Sequence, residues 1–212
     1  RGAGSGAIRF GLHAIFAPGD WVLVHKAPVY DTTKASFQML GLHKLEVDFN
    51  EPSKLRQALR EHPELKGALI QHTRQLPGDS YELSEVIGII KETADLPILV
   101  DDNYAALKTP RIGSQCHADL SCFSAFKLLG PEGIGILVGK KSYLEILRNE
   151  HYSGGMQTQG HEALDVLHGL VYAPVALAVE AKESEECVRR LNLGEIPEVK
   201  NAFLANAQSK VI

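Results

Sequence analysis

Leu99-Val100-Asp101-Asp102-Asn103-Tyr104, taken with Phe123-Ser124-Ala125-Phe126-Lys127-Leu128-Leu129-Gly130, decides the fold of this chain. The first stretch closes an apolar run, Pro97 to Val100, which reads as a buried strand ending in two acids. The second follows another short apolar segment, Leu120 to Phe123, and leaves a lysine just beyond it. A Gly/Pro turn comes next, and Ile134 to Val138 reads as one more strand. Upstream, strands are expected at Trp21 to His25, His43 to Phe49 and Gly67 to Gln71. Helical spacing of apolar residues marks Ala7 to Ala17, Asp31 to Leu40, Pro52 to Glu61 and Leu83 to Ala94. Strands alternating with helices in this way predict an α/β three-layer sandwich around a mostly parallel sheet. Ligands of such sheets sit outside the carboxyl ends of the strands, where Tyr30, Arg74, Asp101 and Lys127 all fall.

A lysine just past one strand, near an aspartate at the end of another, is the arrangement that pyridoxal 5'-phosphate (PLP) chemistry needs. The amine forms a Schiff base with the cofactor aldehyde, and the carboxylate keeps the pyridine nitrogen protonated. Asp101-x-x-Tyr104, then Ala118-Asp119, then Ser124-Ala125-Phe126-Lys127, resembles the fold-type I PLP-dependent enzymes, in particular their aminotransferase and Cys/Met-metabolism lyase branches. The resemblance implies a PLP-dependent transferase-like large domain. It implies Lys127 as Schiff-base lysine and general acid/base, and Asp101 at the ring nitrogen. Asp102 is the rival acid; Asp101 falls first after the strand and sets the spacing to Tyr104. By the same resemblance Tyr104 donates to the ring hydroxyl and Ser124 contacts the phosphate. Phe126 stands where the lyases often have a second hydroxyl.

Gly2 to Gly6 opens the first helix, with Ser5 expected as its N-cap. A Gly-rich loop at a helix N-terminus suits an anion. The resemblance makes that anion the PLP phosphate, contacted by Gly4, Ser5 and Gly6. Two other readings stand beside it: a dinucleotide fingerprint, weakened by Ala7, and a plain cap with close helix packing. Tyr30 lies where relatives stack an aromatic ring on the cofactor; the alternative is a tyrosine that merely closes the strand end. Arg74 replaces the Asn that relatives place near the ring hydroxyl, and it could approach the ring oxygen or a substrate carboxylate. His72 reads as a structural histidine. Gln157 and Thr158, in a Gly-rich loop, are weaker candidates for a contact.

The chain has 212 residues, 44% hydrophobic and 23% charged, with a net charge of −4. That is ordinary for a globular domain, and without a basic block there is no footprint for nucleic acid. No apolar run reads as a membrane span. Three cysteines without metal-ligand spacing read as free thiols of a cytoplasmic protein, and no metal is expected. The expected organisation is a PLP-binding large domain over 1–160, incomplete at its N-terminus, an interdomain helix over 161–191 kinked at Pro174, and the start of a small C-terminal domain over 192–212. The partners expected are a small amino-acid substrate and, from the resemblance, a second copy in a homodimer. Aminotransfer is preferred over C–S lyase or aldolase-type chemistry. An NAD-type oxidoreductase and a non-catalytic PLP-fold module are the alternatives of other classes.

Overall fold

The computed structural model describes residues 1–73, 76, 78–152 and 154–204. Its helices and strands, in order, are α1 (Ala3–Ile15), β1 (Trp21–His25), α2 (Asp31–Leu40), β2 (His43–Val47), α3 (Pro52–Glu61), β3 (Leu65–Gln71), α4 (Leu83–Ala94), β4 (Ile98–Asp101), β5 (Leu120–Ser124), β6 (Gly135–Gly139), α5 (Lys141–Glu150) and α6 (Gly160–Asn192). The strands form one six-stranded sheet in the order β2-β1-β3-β4-β5-β6. The first five run parallel, and β6 returns antiparallel to β5. The chain moves outward from β1 to β2 and then crosses back to β3, so the winding reverses between β1 and β3.

Both faces of the sheet are covered, which is why its central strands read as unbroken apolar runs. On one face Leu23, Ala68, Ile70, Ile98 and Val100 pack against Leu55 and Leu59 of α3 and Val86, Ile87 and Ile90 of α4. On the other, Val22, Val24, Leu69, Leu99 and Leu120 meet Ile8 and Leu12 of α1 and Phe37 of α2, with Leu144 of α5 alongside. These two layers and the sheet make the expected three-layer sandwich. Ile98, Leu99 and Val100 are fully buried, each worth about 2 kcal/mol in apolar burial. Local signals set several boundaries. Pro52 opens α3 at its first turn, where its missing N–H costs nothing. Gly41 ends α2 in the left-handed conformation, φ 64°, and its N–H closes on Gln38 and Phe37 carbonyls.

Two expectations need correction. Helix α1 starts at Ala3, with Gly2 in the cap position. The Gly133 carbonyl accepts from the Gly2 and Ala3 amides at 2.9 and 3.2 Å, so the helix begins before Ser5, which lies inside its first turn. The second concerns α6, which runs on through Pro174. By length and composition it is long and apolar enough to cross a membrane, contrary to the reading that no segment is. One such helix is weak support for a span, and this one is docked: Ala173 and Leu177 pack on Phe123 and Leu128. Leu164, Leu167, Val171 and Val175 form an exposed apolar stripe along it.

Candidate functional site

Strand register brings the acids and the lysine to one edge. Gln71 on β3 lies opposite Asp101 on β4, and Asp101 lies opposite Cys122 on β5. Side chains alternate across a sheet, so Asp101 follows Leu99 toward the α1 face, while Asp102 follows Val100 toward the α4 face. Ser124 shares the α1 face with Leu120 and Cys122.

Asp101 takes two hydrogen bonds from Asn103, its amide at 3.0 Å and Nδ2 at 2.7 Å, both on Oδ1. Among the described residues Oδ2 has no partner. Burial pushes the Asp101 pKa up. The Asn103 bonds and the nearby Lys127 charge oppose that rise, and the Asp102 charge adds to it. The net result is a carboxyl held above its usual range, short of positive charge. Lys127 sits in a 3₁₀ turn, Phe126–Leu128, directly past β5. Its Nζ lies 3.1 Å from the centroid of the Tyr104 ring, a cation–π contact made by the ring face. Phe126 stands farther off, at 5.7 Å.

The first turn of α1 closes onto the same edge. The Gly4 amide donates to Ser124 Oγ at 2.9 Å. Ser124 Oγ in turn donates to Asn103 Oδ1 at 2.6 Å, and the Ser124 amide donates there too at 2.9 Å. A Cβ on residue 4 would come within 2.1 Å of Asn103 Oδ1 and 2.5 Å of Ser124 Oγ, so this approach requires glycine. Gly6 spends its amide on the Gly2 carbonyl and packs against the Arg1 carbonyl, where a Cβ would meet it at 2.1 Å. Of the three residues expected to hold an anion, Gly4 and Gly6 therefore give close packing. Ser5 is the open one; its Oγ donates to Thr32 Oγ1 at 3.0 Å, which joins the N-terminal turns of α1 and α2. Tyr30, just before α2, is 60% exposed at the rim. Arg74 lies outside the described residues.

Two aspartate–histidine pairs escaped the sequence reading. Asp102, fully buried, takes His72 Nδ1 on Oδ1 at 2.6 Å and the Gly113 amide on Oδ2 at 3.0 Å. Both oxygens are thus engaged, whereas Asp101 keeps one open. At the end of β1, His25 Nε2 meets Asp79 Oδ1 at 3.0 Å, and the Phe49 amide donates to His25 Nδ1 at 3.1 Å. Asn103, which ties Asp101 to Ser124, was also missed. The Asp-x-Asn spacing was its available signal, since such side chains close short turns on the backbone.

The model of the family "Aminotransferase class-V" matches residues 23–168. The chain belongs to this family. Its cofactor is PLP. YhfS of Escherichia coli strain K12 is 51% identical over 212 residues, which are 100% of this chain and 58% of that protein. The crystal structure of the pyridoxal-5'-phosphate dependent protein YhfS superposes with a TM-score of 0.94 at 52% identity, again covering 100% of this chain and 58% of the other. A cysteine desulfurase of Wigglesworthia glossinidia brevipalpis is 31% identical over 87 residues, 41% of this chain and 21% of its own length. A carbon-sulfur lyase involved in aluminum resistance from Clostridium novyi NT shares the fold at a TM-score of 0.75 and 20% identity, over 97% of this chain and 56% of that one. The chain thus spans a little over half the length of its full-coverage relatives. Class V membership leaves no place for the dinucleotide reading of Gly2 to Gly6. The residues of the carboxyl edge fit PLP: a lysine stands beyond β5, a carboxylate keeps one oxygen open beside it, and two helix N-termini meet at Ser5 and Thr32.

Proposed function

We propose that the chain is the cofactor-binding portion of a PLP-dependent enzyme that transfers the amino group of an amino acid. The observation that carries this reading is the unpartnered Oδ2 of Asp101 on the strand edge that also presents Lys127. PLP, when bound, supplies an electron-withdrawing ring that stabilises negative charge at the Cα of an amino acid. Asp101 holds the proton of the ring nitrogen through Oδ2. That added positive charge answers the deficit that raises its pKa. Lys127 Nζ would hold the cofactor and is the group that would take and return the proton at Cα. Tyr104 keeps Nζ over its ring face. Ser5 and Thr32 hold the phosphate at the paired helix N-termini. Gly4 and Ser124 brace that turn through their mutual hydrogen bond. Tyr30 covers the cofactor from the rim.

C–S bond cleavage is the second reading, favoured by the likeness to a cysteine desulfurase over 87 residues. The same residues serve both outcomes up to proton removal from Cα, so the products decide. The full-length protein, given PLP and a panel of amino acids, is expected to pass the amino group to a 2-oxo acid. Release of ammonia and sulfide from sulfur-bearing amino acids would replace aminotransfer with cleavage. Cofactor that stays covalently attached to Lys127→Ala after borohydride reduction and denaturation, found as a pyridoxyl mass on another peptide, would remove Lys127 from its role. The reading also carries a cytoplasmic location, which suits three free cysteines and is tested by fractionation, and a homodimer, tested by light scattering.

A further inference from the structure

We infer that α6 positions the Lys127 amine, and that Gly169 is the positioning residue, because it lets the helix lie against the main chain of the turn that carries the lysine. The catalytic meaning of this seat rests on the PLP reading above.

A glycine inside a helix is unfavourable, since it orders a freer backbone and offers no side chain to pack. Helix α6 has two. Gly160 is its first residue, and a Cβ there would meet nothing within 4 Å. Gly169 stands well inside the helix and is buried. A Cβ on it would lie 2.7 Å from the Leu128 carbonyl oxygen, 2.8 Å from the Leu129 carbonyl carbon and 2.7 Å from the Gly130 nitrogen. All three atoms are main chain, so none can swing aside as the end of a side chain would. Alanine at this position has to displace the helix or the turn.

The turn moves as one piece. The Ala125 carbonyl accepts the amides of Leu128 and Gly130, both at 2.9 Å, and the Ala125 amide donates to the Ile134 carbonyl at 2.9 Å. Leu129 is in the left-handed conformation, φ 61°, which a bulky side chain rarely adopts and which persists only where its surroundings hold it. Those surroundings include α6, whose Gly169 meets the main chain of Leu128, Leu129 and Gly130. Any shift of this turn carries Lys127 with it.

The same face of α6 also supports the ring under the lysine. Gly169, Ala173 and Leu177 recur every fourth residue and share one side of the helix. Ala173 and Leu177 pack with Leu128, Phe123 and Ala106. Ala106 lies two residues past Tyr104, in a turn closed by the Ala105 and Ala106 amides on the Asp102 carbonyl at 2.9 and 3.0 Å. One helix face thus touches the lysine turn and the tyrosine turn together, and it sets the 3.1 Å approach of Lys127 Nζ to the Tyr104 ring.

The test uses the full-length protein with three single substitutions on α6. Gly169→Ala pushes on the turn, Leu177→Ala loosens the same face, and Gly160→Ala adds a methyl group where nothing stands. Lys127 is read first in cofactor-free protein, by trace labelling with acetic anhydride and mass spectrometry, relative to the Lys141 side chain, which is 88% exposed. Labelling of Lys127 is expected to rise several-fold in Gly169→Ala, as Nζ leaves the Tyr104 ring, and to stay unchanged in Gly160→Ala. With PLP and an active amino acid, Gly169→Ala should lower kcat by about tenfold or more while KM stays within about twofold, because a misplaced reacting group loses rate rather than binding. Wild-type labelling of Lys127 in folded Gly169→Ala, or a wild-type kcat with the cofactor bound, would overturn the inference. If Gly169→Ala does not fold, Leu177→Ala decides: faster Lys127 labelling with a lower kcat supports the seat, and unchanged labelling overturns it. If wild type gives no visible band with PLP, the cofactor reading fails by itself, and the labelling of cofactor-free protein still decides whether Gly169 places Lys127.

Discussion

The sheet keeps two aspartates at its opposite edges, and they are treated differently. Asp119, at the amino edge, is buried and accepts Lys91 at 2.8 Å, Lys140 at 2.5 Å and the Ile98 amide at 2.8 Å. Burial works against its charge, but the two ammonium groups and the amide overcome it and hold its pKa below the usual carboxylate range. Asp101, at the carboxyl edge, receives hydrogen bonds from Asn103 alone among the described residues, and its pKa is raised. One acid is saturated with positive charge and stabilises the fold. The other is left short of it, which costs stability when the carboxyl ionises. A half-buried carboxyl short of positive charge in a crevice is a candidate for a binding site.

The sharpest way to break the contrast is at the lysine. Lys127→Ala in the full-length protein should abolish the covalent cofactor band and reduce turnover by at least about 10³-fold, in line with loss of a proton-transfer group and the covalent attachment together. Asp101→Asn comes next. Removing one partner of a buried ion pair costs about 3–5 kcal/mol, or roughly 10²-fold or more in turnover. Stability should respond with the opposite sign. A carboxyl whose folded pKa lies above its unfolded value loses stability as pH rises through that folded pKa. Cofactor-free Asp101→Asn should therefore unfold at a higher urea midpoint than wild type near neutral pH, with the gap closing below the ordinary carboxylate range. A midpoint lower than wild type at neutral pH would mean that Asp101 is a structural acid like Asp119.

Asp119→Ala should do the reverse. It strands Lys91 and Lys140 at the edge and cuts the bond to the Ile98 amide, for a cost of about 3 kcal/mol. Because its folded pKa is depressed, the contribution is full above the ordinary carboxylate range and fades as pH falls through the folded value. The urea midpoint of wild type should approach that of the variant in acid, while the cofactor band at neutral pH stays intact.

The two edges also differed in how plainly the sequence announced them. The placement of Asp101 and Lys127 at strand ends was legible because each follows an apolar run whose end is a local signal. Helices α2, α3 and α4 were placed correctly because their apolar periodicity is local too. The start of α1 was misjudged because it is fixed by the Gly133 carbonyl, far along the chain. The contact of Gly4 with Ser124 and Asn103 joins three separate segments, so no spacing rule could supply it. His72 was set aside because an isolated histidine carries little signal; its meaning came from Asp102, which the sequence reading weighed only as a rival to Asp101. The lysine clamp on Asp119 was hidden for a similar reason, since Lys91 and Lys140 lie on either side of it in sequence and only the fold brings them together.

The smallest effect tests whether that clamp needs both arms. Lys140 is 62% exposed and Lys91 is 23% exposed, though both reach Asp119. An exposed ammonium is screened by water and salt, so Lys140→Met should cost below about 1 kcal/mol. Lys91→Met should cost more, because the lost partner is less hydrated and the remaining Lys140 holds Asp119 from the wetter side. Urea midpoints of the two variants, compared at low and high salt, separate the arms. Salt should narrow the gap between wild type and Lys140→Met more than that between wild type and Lys91→Met. Equal costs would show that Asp119 answers to total charge, and its contrast with Asp101 would then rest on the number of cations at each edge rather than on how deeply they are held.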